Sequence, residues 1–236
     1  MIPKKIHYCW FGRGEKPELA KKCIASWKKY LPEYEIKEWN ESNFDLDKYP
    51  YVREAYDNRK FAFVTDVVRL FALYHEGGVY MDTDVEVLKP LDILLQYDAV
   101  SGFESDTLIP TGLMASKEGM PIFKELLSEY DGLHFVKPDG TFDTTTNVIR
   151  ITNTLNKYGF VPNNKLQTVC GFTLLPKDYL CPKSTEDGKI RLTHNTLTIH
   201  HFAGSWNPKW RKVIRNLILN IGGIRLKNFL KKTFRI

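Results

Sequence analysis

The chain has 236 residues, of which 43% are hydrophobic, 13% aromatic and 26% charged. This length supports one sizeable hydrophobic core, and the composition excludes an intrinsically disordered protein. No apolar run is long enough for a signal peptide or a bilayer span, so we expect a cytoplasmic protein.

The formal net charge of +6 is concentrated at one end of the chain. Residues 207–236 contain nine basic residues and no acidic ones, which leaves 25 basic and 28 acidic side chains, or about −3, in residues 1–206. The sequence therefore predicts a main domain over residues 1–206 and a basic appendage over residues 207–236. The four cysteines show no metal-binding or disulfide spacing and are expected to be reduced thiols.

Hydrophobic periodicity predicts strands and helices that alternate through the first half of the chain. This order is typical of an α/β fold with a mainly parallel central sheet flanked by helices. In such sheets, ligands bind beyond the carboxyl ends of the strands. The predicted strands are 2–11, 34–39, 79–81, 99–103, 109–115, 168–175 and 196–202, and the predicted helices are 17–30, 61–74, 121–130 and 147–158.

Two aspartates follow the strand at residues 79–81. The run from residue 76 is Glu-Gly-Gly-Val-Tyr-Met-Asp-Thr-Asp, in which a glycine turn leads into the strand. Side chains two apart on a strand point to the same side, so Asp82 and Asp84 are expected to converge. Their hard oxygen atoms predict a Mn²⁺ or Mg²⁺ site.

Asp66 and Arg69 are the only charged residues in the apolar helix at residues 61–74. Two buried charges are costly unless something pairs them, and residues three apart share a helix face. One interpretation is that they simply pair with each other. Because the same helix leads directly to Asp82 and Asp84, we favour a functional interpretation, in which Arg69 binds a phosphate and Asp66 accepts a hydrogen bond from a sugar hydroxyl.

Two adjacent histidines, His200 and His201, end the strand at residues 196–202, and a glycine turn and Trp206 follow. Adjacent side chains on a strand point to opposite faces, so only one of the two histidines faces the site. Imidazole is an acceptable third ligand for Mn²⁺ beside two carboxylates.

These residues resemble a known family. Residues 61–84 look like the DXD sugar-binding region of glycosyltransferase family 32, which includes yeast mannosyltransferases and bacterial capsule and lipopolysaccharide enzymes and is related to the clostridial glucosylating toxins. Residues 2–12 resemble the family's first strand, and residues 201–206 resemble its C-terminal metal and donor loop.

The resemblance implies a GT-A fold, a nucleotide-sugar donor, a divalent metal and retention of the anomeric configuration. The implied reaction moves a hexose, with uridine diphosphate as the expected carrier, to a glycan or lipid-linked oligosaccharide in bacterial surface polysaccharide synthesis.

The resemblance also assigns roles to residues. Trp10 would stack on the base, while Tyr80 and Asp82 would contact the nucleotide or ribose. Asp84 would bind the metal directly and Asp82 directly or through water.

For the remaining ligand, counting back from Trp206 favours His201 over His200. Asp66 and Arg69 would hold the donor sugar. Ser205 and Trp206 would close over the diphosphate and sugar.

The basic appendage has apolar residues at helical spacing over 210–236, with basic residues on the opposite face. It is expected either to pack on the domain or to dock on the anionic inner face of the cell membrane as a peripheral anchor. Its aromatic residues lie on the apolar face, which argues against nucleic acid as a partner.

Two other functions use the same motif. Asp82 and Asp84 also fit the opening of a haloacid-dehalogenase-like phosphatase, with Asp82 as nucleophile and Asp84 as acid. A non-catalytic sugar- or membrane-binding module with a structural metal is the other alternative.

Overall fold

The computed structural model describes residues 1–184 and 187–204. The predicted appendage therefore lies outside the described residues. Nine strands are described: β1 (Lys5–Cys9), β2 (Glu35–Trp39), β3 (Gly78–Met81), β4 (Val85–Val87), β5 (Ala99–Gly102), β6 (Leu113–Ser116), β7 (Gln167–Val169), β8 (Phe172–Leu175) and β9 (Thr198–His200). Six α-helices accompany them: α1 (Glu18–Tyr30), α2 (Pro50–Asp57), α3 (Phe61–Glu76), α4 (Pro121–Ser128), α5 (Asn147–Asn156) and α6 (Lys177–Leu180).

Seven of the strands form one sheet in the order β2-β1-β3-β6-β5-β8-β7, and β4 pairs with β9 in a separate ribbon. β1 is parallel to both β2 and β3, and β5 is parallel to β8. β6 is antiparallel to both β3 and β5, and β7 is antiparallel to β8. Five strands therefore share one direction, which confirms the predicted α/β fold with a mainly parallel sheet.

Helices cover both faces of this sheet. Alternate residues of β3 belong to two apolar clusters, Tyr80 to one and Val79 and Met81 to the other. α3 lies within the first cluster with nine buried residues, as its nearly all-round apolar sequence predicts. On the other face, the Trp27 side chain of α1 is fully buried and donates from Nε1 to the Val85 carbonyl at 2.7 Å.

The buried polar residue His7 ties three strands together. Its side chain is fully buried, and its Nδ1 accepts from Trp39 Nε1 at 3.1 Å. Nε2 therefore carries the proton and donates to the Gly77 carbonyl at 2.8 Å. Burial lowers the pKa of His7 to about 4, so this neutral ring joins β1, β2 and the start of β3 at pH 7.

Most predicted elements are present, and the differences have local causes. The predicted strand 109–115 begins only at Leu113, because the backbone before it bonds elsewhere: the Thr111 carbonyl accepts from Arg69 and the Gly112 carbonyl from the Asp82 amide. The predicted strand 168–175 divides into β7 and β8 around Gly171, which has a φ of 76°. The sequence pattern predicts neither α2 nor β4.

No helix within residues 1–184 and 187–204 combines the length and apolar character needed to cross a membrane. All four cysteines lie in these ranges as free thiols, and only Cys170 is exposed.

The connection from α3 to β3 depends on two glycines. Gly77 ends the helix with a φ of 62°, and Gly78 follows with a φ of 93°. A Cβ at Gly78 would lie 2.6 Å from the Lys5 carbonyl oxygen, so both the backbone conformation and the adjacent strand exclude a side chain. This close approach of β3 to β1 determines the position of Asp82, which directly follows β3.

We expect Gly78→Ala to reduce the free energy of unfolding by about 3 kcal/mol, because it combines backbone strain with a backbone clash. Gly119→Ala is the matched control: its φ is 74° but no atom lies within 4 Å of the added Cβ. Strain alone should cost that variant about 1 kcal/mol. Urea denaturation at 25 °C measures both, and equal losses would show that the contact with β1 does not matter.

Candidate functional site

The two aspartates after β3 converge, although by a different route from the one predicted. β3 ends at Met81, and Asp82 to Asp84 form a turn closed by a bond from the Val85 amide to the Asp82 carbonyl at 3.0 Å. One ligand atom from each of Asp82, Asp84 and His200 lies within 4.8 Å of the others. A turn, and not strand alternation, therefore brings the carboxylates together.

The histidine in this cluster is His200, so the choice of His201 is corrected. In the β4–β9 ribbon, His200 lies opposite Val85, whereas Glu86 lies opposite Ile199. His201 is two residues from Ile199 and shares its face, where its Nε2 contacts Glu86 Oε2 at 2.8 Å. The register of the ribbon places the His200 side chain on the face of Asp84 and the His201 side chain on the opposite face.

Asp84 and His200 form a partly buried ion pair, with His200 Nε2 3.3 Å from Asp84 Oδ1. Burial alone would raise the pKa of Asp84, but the bond to His200 and the Ala203 amide, 2.7 Å from Oδ2, lower the pKa to about 2. Burial alone would lower the pKa of His200, but Asp84 and the Cys181 sulfur raise it well above its ordinary value. Each group therefore favours the charged form of the other.

The donor set fits a divalent metal. Two carboxylates and one imidazole suit Mn²⁺, and carboxylates alone suit Mg²⁺. His200 Nδ1 is buried and has no hydrogen-bond partner among the described residues. This ring nitrogen therefore remains available as a metal ligand. Asp82, Asp84 and His200 are the residues that would hold the ion.

Arg69 links α3 to this cluster. Its side chain is 5% exposed, and Nη2 lies 3.2 Å from Asp66 Oδ1 and 3.3 Å from Asp82 Oδ1. Nη1 donates to the Thr111 carbonyl at 2.7 Å. Arg69 and Asp66 therefore pair with each other, and Arg69 also pairs with Asp82. In this structure Arg69 orients Asp82, and its contact with a phosphate stays a prediction.

Asp66 is held by the start of α5. The Asn147 amide donates to Asp66 Oδ2 at 3.2 Å, and the Asn147 side chain donates to the Asp66 carbonyl at 2.6 Å. Burial raises the pKa of Asp66 to about 6, although Arg69 and the Asn147 amide oppose the rise. Asn147 is not among the residues that the sequence predicts for the donor and metal site.

Tyr80 orients Asp82 from inside the core. The side chain is only 1% exposed, its hydroxyl donates to Asp82 Oδ1 at 2.8 Å, and the Arg69 guanidinium lies 4.7 Å from its ring centroid. Tyr80 therefore supports Asp82, and its predicted contact with the nucleotide stays a prediction.

The loop before β6 supports the cluster from the other side. The Gly112 carbonyl accepts from the Asp82 amide at 2.8 Å. A Cβ on Gly112 would lie 2.6 Å from His200 Cε1, so glycine leaves the space that the imidazole occupies. The sequence analysis predicted a strand here, although the Pro-Thr-Gly run was a loop signal.

Trp10 follows β1 at the same edge of the sheet. Its Nε1 donates to the Gly14 carbonyl at 2.6 Å, its ring is partly exposed, and Lys16 Nζ lies 5.5 Å from the ring centroid. Its stacking on a base stays a prediction. The predicted donor-closing residues Ser205 and Trp206 lie outside the described residues.

The fold and site thus define an α/β protein with a carboxylate–imidazole cluster, suited to a metal ion, at the carboxyl edge of its sheet. Residues 17–101 match the family model described as "Glycosyltransferase sugar-binding region containing DXD motif". This segment contains Asp82 and Asp84, and the match confirms the resemblance found in the sequence.

Curated relatives agree with this family. The chain is 32% identical to inositol phosphoceramide mannosyltransferase 3 of Schizosaccharomyces pombe over 53% of this chain and 36% of that protein. It is 29% identical to mannosyl phosphorylinositol ceramide synthase SUR1 of Saccharomyces cerevisiae over 58% of this chain and 37% of that protein. The chain therefore spans little more than a third of the length of these relatives.

Solved structures with a similar chain path include two glycosyltransferases. The PaToxG glycosyltransferase has a TM-score of 0.45 and 21% identity, covering 54% of this chain and 59% of its own. The galactosyltransferase LgtC has a TM-score of 0.45 and 11% identity, covering 98% of this chain and 97% of its own.

We expect Gly112→Ala to destabilise the protein by about 2 kcal/mol, because the new methyl group overlaps the His200 ring. In a His200→Ala background the same substitution should cost much less, since the ring is gone. A double-mutant cycle by urea denaturation should then give a coupling of about 1 kcal/mol or more. Additive losses would show that Gly112 does not determine the position of His200.

Proposed function

We propose that this protein is a metal-dependent glycosyltransferase that moves a hexose from a nucleotide-sugar donor to a hydroxyl group of a glycan or lipid-linked acceptor. The observation that carries the proposal is the convergence of Asp82, Asp84 and His200 within a segment that matches a glycosyltransferase sugar-binding region. The full reaction stays a proposal because the chain covers only part of each curated relative.

The chemistry needs charge stabilisation at the leaving group. A divalent metal, when bound, supplies Lewis-acid stabilisation of the diphosphate. Asp82, Asp84 and His200 would hold that ion, while Arg69 and Tyr80 contact the Asp82 carboxylate and fix its orientation. This preorganisation avoids the cost of rearranging carboxylates during the reaction.

The bond changes balance without a protein nucleophile. The bond between the sugar C1 and the diphosphate oxygen breaks, and the acceptor oxygen bonds to C1. The acceptor proton passes to the departing phosphate oxygen. Attack on the same face as departure retains the anomeric configuration, as the family resemblance implies.

The names of the relatives suggest which sugar the protein transfers. Two of them are named as mannosyltransferases that act on inositol phosphoceramide. Mannose is therefore a candidate for the transferred sugar, in addition to the UDP-linked hexoses. The curated relatives are fungal, and a place in bacterial surface polysaccharide synthesis stays a prediction. Docking on the anionic inner membrane surface also stays a prediction, since it concerns residues 210–236.

We expect the protein with Mn²⁺ to release nucleoside diphosphate slowly from at least one of GDP-mannose, UDP-glucose and UDP-galactose, because water replaces the missing acceptor. Release should stop with EDTA and fall at least a hundredfold in Asp84→Asn, which removes one ligand charge. Anion-exchange chromatography of the products measures this. No release from any donor, together with phosphate release from phosphomonoesters, would favour the phosphatase alternative.

A second experiment separates the two histidines. We expect His200→Ala to weaken Mn²⁺ binding by roughly tenfold or more, because one ligand is lost. His201→Ala is the matched control, since His201 faces Glu86, and it should change Mn²⁺ affinity less than twofold. Titration calorimetry of both variants measures the effect, and the opposite order would restore His201 as the ligand.

A further inference from the structure

One carboxylate at the edge of the site has no assigned role. Glu104 lies two residues after β5, and its amide donates to the Leu108 carbonyl at 2.8 Å, which forms a turn. β5 and β3 run in the same direction, so Glu104 and Asp82 lie at the same edge of the sheet. The loop that starts at Glu104 ends at Thr111 and Gly112, which contact Arg69 and the Asp82 amide.

The Glu104 side chain is only partly exposed, yet its carboxylate has no hydrogen bond or ion pair within residues 1–184 and 187–204. Other partly exposed glutamates in the same exposure class do have partners. Glu38 accepts from Lys16, Glu41 accepts from the Gly12 amide, and Glu76 accepts from Lys37. Desolvation of a carboxylate that has no hydrogen-bond partner is unfavourable. We therefore expect a bound ligand to supply the partner of Glu104.

The surroundings indicate what kind of group this is. Burial raises the pKa of Glu104. The charge of His200 lowers this pKa, and the charge of Asp82 raises it. The carboxylate therefore lies within electrostatic range of the metal cluster. A second anion beside Asp82 repels the diphosphate but accepts hydrogen bonds from neutral hydroxyl groups.

Glu104 is not part of the ligand set itself. Only Asp82, Asp84 and His200 have ligand atoms within 4.8 Å of one another in the described part of the chain. In a nucleotide sugar, the ribose and the donor hexose both carry hydroxyl groups near the diphosphate, and the hexose carries more of them. The hexose is therefore the group that we assign to the Glu104 carboxylate at the rim of the cluster.

We propose that Glu104 binds the donor sugar by accepting a hydrogen bond from one of its hydroxyl groups beside the Asp82, Asp84 and His200 cluster. This assignment rests on the proposed function. It makes Glu104 a residue that recognises the sugar and leaves nucleotide and metal to other groups.

The test compares binding of a nucleoside diphosphate with binding of the intact nucleotide sugar, both with Mn²⁺ and by titration calorimetry. The probes are UDP with UDP-glucose and UDP-galactose, and GDP with GDP-mannose. Glu104→Ala should bind the nucleotide sugar roughly tenfold or more weakly than wild type, because a charge-assisted hydrogen bond is lost. Its affinity for the nucleoside diphosphate and for Mn²⁺ should change less than twofold.

Two further variants make the result specific. Glu104→Gln keeps the shape and one acceptor oxygen, so its loss should be smaller than that of Glu104→Ala. Asp106→Asn is the matched control in the same loop, because Asp106 is exposed and pairs with Lys177 at 3.0 Å. It should bind both probes like wild type.

Each other outcome overturns the assignment in a recognisable way. Unchanged affinity of Glu104→Ala for a nucleotide sugar that wild type binds would refute the donor contact alone. A loss of Mn²⁺ affinity would make Glu104 a metal ligand. If the wild-type protein binds no nucleoside diphosphate with Mn²⁺, the proposed function fails, and the Glu104 assignment fails with it.

Discussion

The buried charge of Arg69 is the constraint on which the site depends. Its guanidinium lies in the core between α3, β3 and the loop before β6, where an unpaired charge would be strongly destabilising. Asp66, Asp82 and the Thr111 carbonyl surround it. A buried arginine must be paired. The contacts that compensate its charge in the core also hold Asp82 at the edge of the sheet. Stability and site geometry therefore have a common origin.

The cluster is completed by segments that are distant in sequence. β9 pairs with β4 directly after the two aspartates, so a residue about 115 positions away returns to Asp84. The loop from β5 to β6 approaches from the other side, with Gly112 against the imidazole and Glu104 at the rim. Three separate connections thus meet at one edge. Under the proposed function, the Asp82, Asp84 and His200 cluster would bind the metal and Glu104 would bind a hydroxyl group of the sugar.

Local patterns were enough for the fold class and for half of the site. The glycine turn, the apolar strand and the pair Asp82 and Asp84 are contiguous, and the charges of Asp66 and Arg69 stand out in an apolar helix. These signals are local, so periodicity and composition reveal them. The missed element α2 and the misplaced start of β6 lack such signals. The Pro-Thr-Gly run before β6 was the one local hint that the strand begins late.

The sequence by itself predicted that two carboxylates and a histidine lie together at one edge of an α/β sheet, as Asp82, Asp84 and His200 do. Only the tertiary structure decided which histidine it is, because the register between β4 and β9 turns His200 towards Asp84 and His201 towards Glu86. It also decided that Tyr80 supports Asp82 from the core and that the Glu104 carboxylate has no partner in the described part of the chain. These properties depend on contacts between distant segments, and a local pattern carries no information about such contacts.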